Sequence, residues 1–66
     1  MKIRINGKES EYSGAPVLGD LLGSLGIDPK QVAVERNREI VSRDLVESQP
    51  ILSGDEFEII RFVGGG

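Results

Sequence analysis

Only one stretch of this sequence, residues 17–25, spaces its apolar side chains with the period of an α-helix. At 100° per residue its apolar side chains fall within an arc of roughly 140°; they are Val17, Leu18, Leu21, Leu22 and Leu25. Gly26 follows at the position where helices commonly end in a left-handed conformation. A chain with a single amphipathic helix has to bury the apolar face of that helix against a sheet.

The residues before the helix predict a β-hairpin. Residues 1–5 alternate apolar and polar side chains, which is the two-residue period of a strand. Asn6-Gly7 is a strong signal for a tight hairpin turn, because both residues tolerate positive φ. Residues 8–12 are then the returning strand, and their polar character places that strand at or near a sheet edge.

The residues after the helix supply shorter strands. We predict a buried strand at 32–34, a turn at Asn37, a short strand at 40–41 and a final strand at 57–63. The segment 44–55 is irregular, and we expect it to anchor to the core through Leu45, Ile51 and Leu52. The first and last strands can lie side by side in the sheet centre, connected through the helix.

These elements predict an α+β domain with one main helix on one face of a mixed sheet of about four to five strands. We assign residues 1–63 to this domain and residues 64–66 to a flexible glycine tail. Gly19 and Gly23 lie on the helix face opposite the leucines. We expect both to be tolerated rather than required, the alternative being a close approach by the backbone of a partner.

Composition excludes several classes of function. The 66 residues have a net charge of −3, with neither cysteine nor histidine. A basic nucleic-acid binder, a thiolate nucleophile and a cysteine or histidine metal site are therefore not expected. The N-terminus becomes polar too soon for a signal peptide, and no apolar run could span a membrane. We expect a cytoplasmic protein that is not itself an enzyme.

Two neighbouring features are not explained by a small core. Gly64, Gly65 and Gly66 cannot pack, so they are either a frayed chain end or a thin strip that threads a narrow channel and carries the terminal carboxylate. Ile60 and Phe62 point away from the face that the helix covers. They either tuck under the loop 44–52 or form an apolar docking patch beside the tail.

Two charged groups carry weaker signals. Glu56 and Glu58 share a strand face but have no third convergent ligand, so we interpret Asp55, Glu56 and Glu58 as a solvated edge rather than a metal site. Three arginines, Arg36, Arg38 and Arg43, are locally basic in an acidic protein. Most such clusters are solvated surface, and the alternative is contact with an acidic partner.

Four segments of the chain resemble the ubiquitin-like β-grasp sulfur carriers, and among them the thiamine-pathway (ThiS) family. They are residues 3–8 (IRINGK), 34–41 (VERNREIV), 53–55 (SGD) and 59–66 (IIRFVGGG). A terminal Gly-Gly alone would be a weak sign, because molybdopterin-type carriers and ubiquitin share it. The molybdopterin-type carriers are typically longer and have a proline shortly before the diglycine, whereas the ending of this chain has none.

The resemblance implies a sulfur carrier for the thiazole moiety of thiamine. The carboxylate of Gly66 would be adenylated by a ThiF-type adenylyltransferase that uses ATP and magnesium, while this chain binds no cofactor or metal of its own. Sulfur from a cysteine-derived persulfide donor would then replace AMP, and the resulting thiocarboxylate would serve thiazole synthase. Gly64 and Gly65 would form the tail, and Ile60, Phe62 and Val63 would contact the partner.

Three alternatives remain open from the residues themselves. The chain could be a ubiquitin-like modifier that forms amides with target lysines. It could be a small sulfur-carrier subunit of the molybdopterin synthase type, in a stable complex with one larger partner. It could also be a plain binding module with a disordered tail. The covalent product at Gly66 separates the first of these from the sulfur carriers.

Overall fold

The computed structural model describes residues 1–62. The elements in chain order are strands β1 (Lys2–Ile5) and β2 (Lys8–Glu11), helix α1 (Leu18–Ser24), a 3₁₀ turn at Pro29–Gln31, strands β3 (Val32–Arg36) and β4 (Glu39–Ile40), a 3₁₀ turn at Arg43–Leu45 and strand β5 (Glu56–Arg61). The proposed boundary between a domain at 1–63 and a tail at 64–66 lies outside the described residues and stays a prediction.

The hairpin forms as its turn residues predict. Asn6 and Gly7 have φ values of 50° and 82°, the pair of positive angles that a type I′ turn requires. The turn sets an antiparallel register in which Ile5 lies opposite Lys8. Strand β2 is an edge strand, as expected from its polar sequence.

The five strands form one mixed sheet in the order β2-β1-β5-β3-β4. Strands β1 and β5 run parallel at the centre, and the other neighbouring pairs are antiparallel. The chain crosses from one to the other through α1, which packs on one face of the sheet. This is the β-grasp arrangement, so the predicted fold class is confirmed.

Helix α1 spans all but the two end residues of the predicted segment. Val17 and Leu25 are its caps, and Gly26 follows with a φ of 71°. Leu21 and Leu22 are buried against the sheet as predicted. Leu25, the C-cap, is 45% exposed. The buried part of the apolar arc therefore ends before Leu25.

The irregular segment anchors to the core differently from the prediction. Ile51 is buried as expected, but Leu45 and Leu52 are more than half exposed, and Val46 is buried instead. A segment without a repeating period offers no phase from which the inward side chains could be read. The predicted roles of Leu45 and Leu52 were therefore wrong.

Gly19 is required by the fold, which corrects the expectation that it is merely tolerated. Its N–H donates to the carbonyl oxygen of Glu47 at 3.0 Å. A Cβ at Gly19 would lie 2.7 Å from that same oxygen. A Cβ at Gly23, on the same helix, would meet no atom within 4 Å. The backbone that approaches Gly19 therefore belongs to this chain and not to a partner.

The two glycines form a matched pair for a stability test. Gly23→Ala is expected to raise the free energy of unfolding by about 0.5–1 kcal/mol, because alanine is the better helix former. Gly19→Ala gains the same propensity but has to displace the loop at Glu47, so we expect a net loss of about 1–3 kcal/mol. Urea denaturation of both variants checks the prediction, and an equal gain in both would contradict it.

Candidate functional site

The carboxyl end of β5 is where the structure concentrates exposed apolar side chains next to the unexplained tail. Along β5 the side chains alternate, so Phe57 and Ile59 are buried in the core while Ile60 is 53% exposed. Phe62, one residue beyond the strand, is 49% exposed. Neither Ile60 nor Phe62 is buried under the loop 44–52, so the alternative that they tuck under this loop was wrong.

Phe62 is held in place although its ring faces solvent. Its backbone N–H donates to the carbonyl oxygen of Gln31 at 3.0 Å, which continues the alignment of β5 with β3. The guanidinium carbon of Arg43 lies 5.1 Å from the centroid of the Phe62 ring, within the range of a cation–π contact. The last described residue before the tail therefore has a fixed position and direction.

Asn6 holds β5 at Ile59, three residues before Phe62, from the side of β1. Its side-chain Nδ2 donates to the carbonyl oxygen of Ile59 at 3.2 Å, and its Oδ1 accepts from the N–H of Ile59 at 2.7 Å. These two hydrogen bonds to the backbone of Ile59 continue the parallel pairing of β1 and β5 beyond the last residue of β1. The sequence identified Asn6 only as a turn residue, and no pattern in the sequence indicates its second role.

The start of β5 is fixed by a buried carboxylate. Asp55 is 5% exposed, and its oxygens accept hydrogen bonds from Nε of Arg36, the last residue of β3, at 2.8 Å and from Nδ2 of Asn37, in the turn that follows, at 3.1 Å. The Leu52 N–H also donates to Asp55, at 2.8 Å. Burial alone would raise the pKa of Asp55, but the hydrogen bonds from Arg36, Leu52 and Asn37 outweigh it and hold the pKa below its usual value.

This network corrects two interpretations of charged residues. Asp55 is a buried structural carboxylate, not part of a solvated edge with Glu56 and Glu58. Arg36 pairs with Asp55, while Arg43 lies at Phe62, so the structure divides the predicted arginine cluster. Within residues 1–62 no group of three or more acidic side chains is arranged to hold a metal ion.

Four of the predicted site residues lie outside the described part of the chain. They are Val63, Gly64, Gly65 and Gly66, and their proposed roles stay predictions. Of the predicted site residues, the structure describes Ile60 and Phe62. Among residues 1–62 the structure contains no helix with the length and apolar character that crossing a membrane requires.

Comparison with known proteins gives a consistent result. The model of the ThiS family matches residues 3–66. The sulfur carrier protein ThiS of Bacillus subtilis is 35% identical over 65 residues, covering 97% of this chain and 98% of that protein. The crystal structure of the thiamine biosynthesis protein ThiS from Geobacter metallireducens superposes with a TM-score of 0.81 at 33% identity and covers all of both chains.

Larger relatives contain a similar segment. A thiazole synthase from Paramagnetospirillum magneticum is 46% identical over 66 residues, and one from Magnetococcus marinus is 39% identical over the same length. In each case the match covers all of this chain but 20% of the relative. The chain therefore spans about a fifth of the length of these thiazole synthases.

Proposed function

This chain belongs to the ThiS family, and we propose that it is the sulfur carrier for synthesis of the thiazole moiety of thiamine. The observation that carries the proposal is the family match, which runs from residue 3 through the glycine tail to residue 66. In this function the chain is a protein co-substrate of partner enzymes rather than an enzyme itself. The proposal places it in the cytoplasm, where its partners use ATP.

The proposed chemistry takes place at the α-carboxylate of Gly66. A carboxylate oxygen attacks the α-phosphorus of ATP in the partner, which forms an acyl adenylate and releases pyrophosphate. The terminal sulfur of a persulfide then attacks the acyl carbon, and AMP leaves with the former carboxylate oxygen. A second thiol, from a partner enzyme, attacks the donor's sulfur in the acyl disulfide. It forms a disulfide with the donor, and the thiocarboxylate leaves on Gly66. Adenylation converts a poor acyl electrophile into a reactive one.

The composition and geometry of the chain support a function in which this chain carries the sulfur and partner enzymes catalyse the reactions. The sequence has no cysteine and no histidine, so sulfur has to be carried as an acyl derivative and the activating chemistry has to come from a partner. Strand β5 is central in the sheet and is held by Asp55 just before its first residue and by Asn6 at Ile59 in its second half. A rigid strand fixes the point from which the tail begins. A reacting group that must enter the active site of another protein needs such a fixed starting point.

The proposed partners are a ThiF-type adenylyltransferase, a cysteine-derived persulfide donor and thiazole synthase. The relatives named thiazole synthase support the last of these, because a segment similar to this chain occupies about a fifth of their length. ATP and magnesium are used by the adenylyltransferase, and this chain binds neither on its own.

A reconstitution tests the proposal against the alternatives. The 66-residue protein is incubated with ATP, magnesium, a ThiF-type adenylyltransferase and a persulfide donor, and is then supplied to thiazole synthase. We expect thiazole formation only with the sulfur-loaded protein, and we expect the unloaded protein to return. Amide-linked adducts on other proteins would instead support a ubiquitin-like modifier. Sulfur delivery only to a molybdopterin precursor would support the small-subunit alternative.

The exposed patch of Ile60 and Phe62 is predicted to contact the adenylyltransferase. Replacing both residues with serine should leave the unfolding midpoint nearly unchanged, because neither side chain is buried in the domain. Adenylation should weaken through an increased KM for the carrier, since apolar contact area is lost. Steady-state kinetics with the Ile40→Ser variant, another exposed apolar residue, provides the control. Unfolding of the double variant would show that the patch belongs to the core.

A further inference from the structure

Three cationic residues lie close to Phe62: its chain neighbour Arg61, and Lys30 and Arg43 from other segments of the chain. Lys30 and Arg61 line a depression of about 360 Å³ together with Gln31 and Phe62. The Arg43 guanidinium lies over the Phe62 ring and donates to the carbonyl oxygen of Lys30 at 3.1 Å. We call Lys30, Arg43 and Arg61 the basic rim. The sequence separates these residues widely, and only the fold brings them together.

The basic rim has no internal counter-charge in the described structure. Within residues 1–62 the ion pairs involve Met1 with Glu11, Lys2 with Glu9 and Arg36 with Asp55, and none includes a residue of the rim. The nearby Asp28 accepts from the backbone N–H of Lys30 and makes no ion pair with the rim side chains within 4.0 Å. The rim is therefore a locally positive surface on a chain whose net charge is −3. Such a local reversal of charge favours association with an acidic surface.

We propose that the basic rim is a docking surface for carboxylate side chains of the adenylyltransferase, around the entrance of the channel that receives the tail. The inference rests on the proposed function, because it places the rim at the base of the reactive tail. Gly66 is four residues beyond Phe62, and four extended residues span about 14 Å. A nucleotide that reacts at Gly66 is therefore beyond reach of the rim, and the rim contacts the protein around the entrance.

The cation–π contact gives the rim its rigidity. Arg43 is held by the Phe62 ring and by the Lys30 carbonyl, so its guanidinium loses little further freedom when a carboxylate binds. The apolar patch of Ile60 and Phe62 lies directly beside it. An apolar contact with a charged margin is the usual anatomy of a specific interface, in which the charges mainly raise the association rate.

A salt-dependent rate measurement tests this assignment. The rate constant for association of the full chain with a ThiF-type adenylyltransferase is measured by stopped flow, at about 0.01 M and at about 1 M salt. The variant Lys30→Gln/Arg43→Gln/Arg61→Gln is expected to associate at least tenfold more slowly at low salt. At high salt its rate should equal that of the parent, which also shows that the variant is folded.

A matched variant controls for net charge. Lys2→Gln/Arg4→Gln/Arg38→Gln removes the same charge near the start of β5, at the other end of the strand from Phe62. We expect this variant to associate within about twofold of the parent at low salt, because charges far from the contact steer weakly. An equal loss in both triple variants, or no loss in the rim variant, would overturn the proposal.

Two further comparisons separate the possible failures. At low salt the rim variant is expected to associate more slowly than the parent both with and without ATP. A slower association only in the presence of ATP would mean that the rim binds the nucleotide phosphates instead. The proposed function fails separately, when the parent protein associates with the partner but gains no AMP. The rim assignment fails when the parent is adenylated and the rim variant associates as fast as the parent.

Discussion

Asp55→Ala is expected to lower the free energy of unfolding by about 2–4 kcal/mol. The substitution leaves Arg36, the Asn37 amide and the Leu52 N–H without the acceptor that each of them uses. Unsatisfied polar groups and a charge that has lost its partner cost several kcal/mol when they are shielded from water. A domain of this size has about 3–10 kcal/mol of stability in total.

Matched variants show whether the buried position or the acidic residue itself matters. Glu58→Ala removes a carboxylate from the exposed face of the same strand and should change stability by no more than about 0.5 kcal/mol. Asp55→Asn keeps the size and loses the charge, so we expect an intermediate loss. Urea denaturation measures all three variants, and an equal effect of Asp55→Ala and Glu58→Ala would contradict the role of the network.

The same carboxylate makes stability depend on pH. Its folded pKa is below the unfolded value of about 3.9, so its contribution is present above that value and is lost as the pH falls through the folded pKa. Acid titration of the unfolding midpoint should therefore show a steeper loss below about pH 4 in the parent than in Asp55→Asn. If the unfolding midpoints of the two proteins fall equally with decreasing pH, ionisation of Asp55 does not contribute to stability.

Changes in the tail are expected to abolish activation without affecting the fold. Deleting Gly66 moves the terminal carboxylate back by about 3.5 Å, and reacting groups have to approach within about 3–3.5 Å. Gly65→Val keeps the length but adds a β-branched side chain that a narrow channel would exclude. We expect the rate of adenylation to fall at least 100-fold in both variants, because small misplacements have effects of that size.

The control for the tail variants is the stability of the domain. Both changes lie outside the described residues, so the free energy of unfolding should change by no more than about 0.5 kcal/mol. Rapid-quench kinetics with labelled ATP measures adenylation in the parent and in each variant. Parent-like rates in both variants would show that Gly66 is not the reacting residue.

The predictable part of the fold comes from periodic segments and turn residues. The two-residue alternation before Asn6-Gly7 and the helical spacing at 17–25 were sufficient to predict the hairpin, the helix and the position of β1 beside β5. The structure shows that these two strands run parallel. The alternation in β5 also predicted which residues face away from the helix. Each of these inferences uses contacts that are local in sequence or forced by connecting a single helix to a sheet.

The remaining features depend on contacts between distant residues. Tyr12 was assigned to a polar strand, yet it is buried. Its hydroxyl lies within hydrogen-bonding distance of two acceptors, the Ala15 carbonyl oxygen at 2.5 Å and the Asp20 carboxylate. Burial and then the hydrogen bond and charge of Asp20 raise the pKa of Tyr12 to about 12. The Asp55 network and the basic rim likewise join side chains from separate segments, so no local pattern in the sequence indicates them.

The central claim is that sulfur is carried on Gly66, and mapping the sulfur within the loaded protein tests it most directly. After incubation with ATP, magnesium, a ThiF-type adenylyltransferase and a persulfide donor, trypsin cleavage after Arg61 releases the peptide of residues 62–66. We expect tandem mass spectrometry to find one oxygen replaced by sulfur in this peptide, at the Gly66 carboxylate, and no change in any other peptide. Sulfur or AMP on another peptide, with residues 62–66 unmodified, would contradict the account.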